Sequence, residues 1–204
     1  MIHSELRKED VRRSNVISDF LDKHFYAVHT TQFERVNDTE RQVQGIDTIF
    51  TFQGHEYTCD EKASVRYINK NLRTFSFELS FLRKSGETTD GWLLSEKDIN
   101  NSFLLCWIDR AKSDTPQDES DILEMEIALV RREAILAYLQ HFGWDKRKLL
   151  RKARRIREQY HENLGSIETN GCKFVFSDKL VEKPVNVLIS RDTLLEISDF
   201  HKIL

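Results

Sequence analysis

The chain contains few of the residues that cross-link or interrupt a polypeptide. Its 204 residues include three cysteines, two prolines and seven glycines. The cysteines, Cys59, Cys106 and Cys172, are odd in number, widely spaced and without a C-x-x-C pair. That pattern fits neither a disulfide framework nor a zinc cluster, so we interpret all three as reduced residues of the core.

Long apolar runs and a secretory signal are missing as well. An uninterrupted apolar run such as 103–108 is far shorter than the roughly 20 residues of a membrane-spanning helix. Acidic and polar residues fill positions 3–10, where a secretory signal needs an apolar stretch. We therefore expect a cytoplasmic protein with no membrane partner.

What remains is the composition of a folded protein. Hydrophobic residues make up 39% and charged residues 32% of the chain, and the formal net charge is −3. This composition excludes a disordered chain, and the length favours one core with appended elements. The small net charge argues against an indiscriminate polyanion binder, although a whole-chain sum can conceal a local basic face.

Periodicity in the first half of the chain predicts one helix followed by strands. Apolar residues recur at helical spacing from Asp10 to about Phe25. The turn Gln53-Gly54 predicts a hairpin, and we expect a sheet of at least four strands. The predicted extended segments are 33–36, 46–52, 55–63, 74–82, 92–94 and 103–108.

The second half begins after a polar segment. Residues 110–120 contain one of the two prolines, and we place the main internal boundary there. Apolar spacing predicts a helix over 122–142 that ends at Gly143, and a second helix capped by Asp145 that runs to about Asn163. The remaining predicted elements are a turn at Asn170-Gly171, strands at 173–177 and 185–189, and a helix from Arg191.

One short segment predicts a catalytic site. Asp60-Glu61-Lys62 is the one place where an acidic residue stands two positions before a lysine. Residues two apart on a strand face the same way, so Asp60 and Lys62 should share a face that Asp47, on the partner strand, can reach. Phosphodiester hydrolysis needs carboxylates to hold a hard cation and a cationic group beside the attacking water. The alternative is an exposed ion pair, which would contribute under about 1 kcal/mol.

A wider pattern around this segment resembles a known superfamily. Gln42-x-x-Gly45-Ile46-Asp47-Thr48-Ile49-Phe50, followed by Tyr57-x-x-Asp60-Glu61-Lys62-Ala63, resembles the PD-(D/E)XK (restriction-endonuclease-like) nucleases, in particular their small bacterial members. The resemblance covers about residues 10–110. Its later parts are Arg66-Tyr67-Ile68-Asn69-Lys70, Phe75-x-Phe77-Glu78-Leu79 and Gly91-Trp92. No proline precedes Asp47, a departure that the superfamily often tolerates.

The resemblance implies a fold and a site. It implies an α/β protein whose residues 1–110 form a three-layer α/β/α core with a mixed sheet. Residues 121–204 would add basic helices and a small strand–helix unit packed on the same domain. Asp47 and Asp60 would bind Mg²⁺ or Mn²⁺, the backbone carbonyl of Glu61 would be a further ligand, and Lys62 would orient water or stabilise charge.

The sequence does not assign the further carboxylates of the site. Many members place an acid on the first helix, and Glu5, Glu9, Glu34 and Glu40 compete for that role here. Glu40 and Gln42 are our choices because they lie just upstream of the matched segment. Glu78 is another candidate, although an outward-facing polar residue on an alternating strand is an equally good interpretation.

A basic stretch follows the polar segment. Between Arg131 and Arg157 there are ten basic residues and two acidic ones. A nucleic-acid backbone would suit such a surface, while the alternative is a solvated helix face behind a buried stripe that includes Tyr160. The candidate nucleic-acid-binding residues are Lys146, Arg147, Lys148, Arg151, Lys152, Arg154 and Arg155.

These patterns predict metal-dependent hydrolysis of a nucleic-acid phosphodiester by water, with DNA preferred over RNA on the resemblance alone. One alternative is a nucleic-acid-binding protein that keeps the nuclease fold without turnover. Another is a protein-interaction module whose basic face is incidental. The sequence leaves open whether the chain forms a homodimer.

Overall fold

The structure is a computed structural model that describes residues 2–159, 166–169 and 171–204, with the side chains of the first helix described from residue 12. It divides the chain into two units. Unit 1 consists of Met1–Leu72, Asn100–Val130 and Asp199–Leu204, and unit 2 consists of Arg73–Ile99 and Arg131–Ser198. Each unit therefore combines stretches that are far apart in sequence.

The described residues form six α-helical segments and eleven strands. The helices are α1 (Ile2–Leu21), α2 (Ala27–His29), α3 (Thr39–Val43), α4 (Arg132–His141), α5 (Lys146–Gln159) and α6 (Arg191–Glu196). The strands are β1 (Thr31–Arg35), β2 (Thr48–Phe52), β3 (His55–Ala63), β4 (Thr74–Leu82), β5 (Thr88–Asp90), β6 (Ser102–Ala111), β7 (Ile122–Arg131), β8 (Ile167–Thr169), β9 (Cys172–Phe176), β10 (Val185–Ser190) and β11 (Phe200–Ile203). A π-helical turn, Asp22–Tyr26, joins α1 to α2.

Unit 1 contains a mixed sheet of six strands in the order β1-β2-β3-β6-β7-β11. β2 and β3 form the predicted antiparallel hairpin, in which Thr48 lies opposite Cys59. β3 runs parallel to β6, so that Asp60 lies beside Phe103. The polar segment 110–120 connects the neighbouring strands β6 and β7 within this unit. The chain is thus an α/β protein with a mixed sheet, as the sequence predicts.

The helix α1 packs on one face of this sheet through its apolar stripe. Phe20 and Leu21 of the helix belong to one buried cluster with Phe50, Tyr57 and Cys59 of the hairpin. Full burial of each large apolar side chain stabilises the folded state by about 1.5–3 kcal/mol relative to its exposure. The predicted amphipathic helix is confirmed, and its packing fixes which face of β3 is turned towards the core.

Unit 2 has its own antiparallel sheet of five strands, in the order β5-β4-β10-β9-β8. β4 has the predicted bounds, Thr74–Leu82, but it belongs to this sheet and not to the sheet of β2 and β3. α5 and α6 pack against β10, and α5 also packs against β4. Gly143, with φ +81°, ends α4, and Asp145 caps α5 by accepting a hydrogen bond from the Lys148 amide at 2.8 Å, both as predicted.

Three predictions of secondary structure are wrong. Residues 122–131 form the strand β7, because one side of this segment is buried in the unit 1 core and its backbone pairs with that of β11. Residues 92–94 form a turn, since the backbone folds back onto Glu78. The chain also continues past α6 into β11, a strand that pairing with β7 holds in place although three of its four residues are exposed.

Some predictions fall outside the described residues: Tyr160, the helix end at Asn163, Asn170 of the turn, and the side chains of Glu5 and Glu9. Among the helices that the structure describes, none combines the length and apolar character needed to cross a bilayer. All three cysteines are buried and reduced, as predicted.

Candidate active site

Asp60 and Lys62 lie near the end of β3 and point to the same side of the strand, as alternation requires. Lys62 Nζ lies 2.5 Å from Asp60 Oδ1. Asp60 is only 4% exposed, whereas the Lys62 side chain keeps 29% of its surface. This pair is therefore not the solvent-exposed ion pair that was the alternative interpretation, because its acidic member is buried.

Asp47 completes the pair from the neighbouring strand. Thr48 is in register with Cys59, so the preceding residue, Asp47, stands beside Asp60. The Asp47 amide donates to the Cys59 carbonyl at 2.9 Å, and Asp47 Oδ2 accepts a hydrogen bond from the Glu61 amide, also at 2.9 Å. These two bonds hold the Asp47 side chain against β3, where it can reach Asp60.

The pKa of Asp60 reflects both its burial and its nearness to Asp47. Burial raises the pKa of the Asp60 carboxyl to about 7, while the Lys62 charge acts in the opposite direction. The charge of Asp47 and a hydrogen bond between the two carboxyl groups raise this pKa further. Two carboxyl groups this close cannot both ionise at their ordinary pKa values, which is the effect seen at Asp60.

Glu61 points to the other side of β3, into the cluster under α1. Arg35 of β1 forms a forked pair with it, with guanidinium nitrogens 3.0 Å from each carboxylate oxygen. Tyr26 donates to Glu61 at 2.9 Å and Ser18 donates at 3.2 Å. Arg35 also binds Asp22 of the π-helical turn. Glu61, between Asp60 and Lys62, is thus held at its amide by Asp47 and at its side chain by Arg35, Tyr26 and Ser18.

The pKa values of this cluster agree with a fixed network. Burial raises the pKa of Tyr26 well above its ordinary value, and the neighbouring Glu61 charge raises it further, so the phenol stays protonated as a donor. Burial lowers the pKa of Arg35, but hydrogen bonds to Asp22 and Glu61 outweigh that effect and leave the pKa above its ordinary value. Forked guanidinium–carboxylate pairs of this kind combine strength with a defined geometry.

Sequence analysis did not predict Arg35, Tyr26 or Ser18 as neighbours of the site. One signal was present in the sequence: alternation puts Glu61 on the same face of β3 as Tyr57 and Cys59, which are buried. A charged residue on an apolar face requires a partner. The identity of that partner depends on β1 and on the π-helical turn, which sequence patterns do not place.

The donor set fits a hard divalent cation. Mg²⁺ is commonly held by one or two carboxylates and takes its other ligands from water and substrate phosphates. Asp47 and Asp60 supply two carboxylates, and the resemblance adds the carbonyl of Glu61. No group of three His, Cys, Asp or Glu side chains that could hold a metal ion occurs among the described residues. Asp47 and Asp60 are therefore the two carboxylates of this site that could contact a cation.

Two cavities in unit 1 reach this site. One of about 370 Å³ is lined by Asp47 and Gln42, and one of about 340 Å³ is lined by Lys62. Ser14, Ser18 and Glu61 line both. Solvent therefore reaches Asp47, Glu61 and Lys62 through these cavities, whereas Asp60 lines neither of them.

The structure places the additional candidate site residues in different surroundings. Gln42 shares the cavity of Asp47 and donates to the Val36 carbonyl at 2.9 Å. Glu40 is exposed at the start of α3 and does not line that cavity. Glu34 forms a surface ion pair with Arg41 at 3.1 Å. Glu78 lies on β4 and belongs to unit 2, whereas Asp47, Asp60 and Lys62 belong to unit 1.

The predicted basic residues lie on α5 in unit 2. Its apolar stripe, Leu149, Ala153 and Ile156, is buried, which confirms that the helix is amphipathic. The charged residues fill the other face, and five of them are exposed: Arg147, Lys148, Arg151, Arg154 and Arg155. Lys146 and Lys152 are half-buried.

Comparison of the chain with protein-family models, with curated proteins and with solved structures finds no match.

Proposed function

We propose that this chain is a Mg²⁺- or Mn²⁺-dependent nuclease of the PD-(D/E)XK type, which hydrolyses nucleic-acid phosphodiester bonds, with DNA preferred. One observation carries the proposal. Asp47 and Asp60, from the hairpin of β2 and β3, have their carboxyl groups within hydrogen-bonding reach, and Lys62 pairs with Asp60. Two carboxylates and a lysine at one strand end are the minimum set for such chemistry.

Each side chain has a distinct role in this proposal. Asp47 and Asp60 would hold the cation, with the Glu61 carbonyl as a further ligand by resemblance. When bound, the cation supplies charge stabilisation at the phosphate and lowers the pKa of a coordinated water. Lys62 places its ammonium group beside Asp60, where it can orient the attacking water or balance the charge that develops on the phosphate. Water is the nucleophile, and no covalent enzyme intermediate forms.

The surrounding architecture supports a restriction-endonuclease-like core, which forms part of the same proposal. α1 covers one face of a mixed sheet, and the site lies where β2 begins and β3 ends. The forked Arg35–Glu61 pair fixes the peptide that carries Asp60 and Lys62. A site on rigid strands with a braced backbone suits a reaction that depends on precise positioning.

The test is a cleavage assay on purified protein with Mn²⁺, Mg²⁺ or EDTA. Linear, circular, single-stranded and branched DNA, together with RNA, serve as substrates. Asp47→Asn, Asp60→Asn and Lys62→Ala are the diagnostic variants. Glu56→Gln is the matched control, because Glu56 is an exposed carboxylate on the same strand.

Metal-dependent cleavage that the three diagnostic changes abolish and the control retains would support the proposal. Each diagnostic change should lower the rate by at least about 10²-fold, as loss of a residue in a metal-assisted site does. If the wild-type protein binds nucleic acid but shows no metal-dependent cleavage, the proposed hydrolysis is overturned. That outcome would favour a nucleic-acid-binding protein with a nuclease-like fold. Cleavage that survives in all three variants would point to a contaminant.

A further inference from the structure

Four arginines of α5 form one continuous face of the helix. At 3.6 residues per turn, positions 147, 151, 154 and 155 fall within an arc of about 100°, opposite the buried stripe of Leu149, Ala153 and Ile156. All four side chains are exposed. We call Arg147, Arg151, Arg154 and Arg155 the arginine face.

The three lysines of the same helix are already engaged within unit 2. Lys146 pairs with Glu96 at 2.8 Å. Lys148 donates to the Gly143 carbonyl at 2.8 Å, and the Lys152 ammonium group lies 5.8 Å from the centre of the Phe174 ring. The three lysines of α5 thus contact groups within unit 2, whereas the four arginines of the arginine face are exposed to solvent.

The arginine face has no ion pair with any residue that the structure describes. The nearest acidic side chain in sequence, Asp145, is held by the Lys148 amide at 2.8 Å. The pKa of Asp145 is lowered first by that hydrogen bond, then by the Lys148 charge and then by the charges of Arg147 and Arg151. Four cations on one helix face, with no ion pair to a described residue, have the charge to attract a polyanion.

We propose that the arginine face binds the phosphate backbone of duplex DNA without reading its sequence. Guanidinium groups match phosphate oxygens in a forked geometry that lysine cannot provide. From Arg147 to Arg155 the helix rises about 12 Å, a length over which a DNA duplex carries about seven phosphate charges.

Shape favours duplex DNA over other polyanions. The major groove of B-form DNA admits an α-helix, whereas the deep and narrow major groove of an RNA duplex does not. The described residues of α5 include no aromatic side chain on which the bases of a single strand could stack. This inference does not depend on the proposed hydrolysis, since a protein without turnover would bind in the same way.

The test measures binding in EDTA, where metal-dependent cleavage cannot interfere. A labelled duplex of random sequence is titrated with the full chain at salt concentrations between about 50 and about 200 mM, with fluorescence anisotropy as the readout. Four phosphate contacts predict a slope of log affinity against log salt of about −3.6, and hence about a 10²-fold loss of affinity over this range. An RNA duplex and a single strand are titrated in parallel.

Two variants that lose the same charge provide the comparison. The first replaces the arginine face with glutamine, which has a similar helix propensity. The second replaces Lys146, Lys148, Lys152 and Lys173 with glutamine, four cations that are already engaged inside unit 2, the last with Glu168 at 3.8 Å. We expect the first variant to lose most of the salt slope and the second to keep it.

Equal losses in the two variants would overturn the proposal, because binding would then follow net charge and not the arginine face. An unchanged slope in the first variant, or equally tight binding of the RNA duplex through the same arginines, would also overturn it. Should the first variant lose its helical circular dichroism, the single change Arg151→Gln decides the matter, since it should reduce the slope by about 1. Cleavage activity has no bearing on these outcomes.

Discussion

The ionisation of Asp60 should make the folded protein less stable as the pH rises. Asp60 is 4% exposed, and burial raises its pKa from 3.8 to about 7. Between these values the folded state keeps a proton that the unfolded state has lost. The free energy of unfolding therefore falls as the pH rises through this window, and the loss is complete once the pH exceeds the folded-state pKa.

The size of the effect follows from the two pKa values. A pKa raised from 3.8 to about 7 corresponds to about 4 kcal/mol of stability lost when Asp60 is fully ionised in the fold. At about pH 5 less than half of this loss has developed. Asp60→Asn removes the ionisation while keeping the shape of the side chain. The stability of this variant relative to wild type should therefore rise by about 2–3 kcal/mol between about pH 5 and about pH 8.

Urea unfolding in EDTA at the two pH values measures this difference. Glu56→Gln, which replaces an exposed carboxylate on the same strand, is the matched control. A difference between Asp60→Asn and wild type that is equal at both pH values would refute the reasoning. Added Mn²⁺ should stabilise the wild type, by about 2.7 kcal/mol at a hundred times its Kd, and should stabilise Asp60→Asn much less.

Three further outcomes test the packing and the backbone conformation of the fold. Arg35→Met should destabilise the fold by about 3–5 kcal/mol, because it leaves the Glu61 carboxylate buried without its guanidinium partner. The double change Arg35→Met with Glu61→Leu should recover most of this loss in urea unfolding. A double variant no more stable than the single one would contradict this account. Burial raises the pKa of all three cysteine thiols, so a thiol reagent at about pH 8 should modify them only after denaturation, which mass spectrometry would show. Gly143→Ala should cost about 1–2 kcal/mol in the same unfolding assay, since φ is +81° there; an unchanged midpoint would contradict this.

Local patterns were enough to predict the hairpin that carries the site. The turn at 53–54 and the alternation of 55–63 set the bounds of β3 and the face that Asp60 and Lys62 share. Asp47 reaches them because a two-residue turn fixes the register of a hairpin. For the same reason Gly143 and Asp145 were correct as helix signals, since a helix end depends on a few adjacent residues.

The strand β7 shows where local patterns fail. Ile122, Met125 and Leu129 are spaced as on a helix, yet these residues lie on a strand and are buried in the unit 1 core. The backbone of β7 pairs with β11, which lies some seventy residues later in the chain. Pairing over that separation decides the structure of 122–131, and periodicity within a short window does not report it.

The amino-acid sequence by itself determined that two carboxylates and a lysine would meet at one strand end, because alternation and a short hairpin are local properties of the backbone. It also determined the basic character of α5. Only the tertiary structure decided that Asp60 is buried, that Arg35 braces the Glu61 peptide, and that four of the basic residues of α5 remain free of ion pairs with described residues. Burial and pairing depend on which distant segments pack together, and so they arise only when the chain has folded.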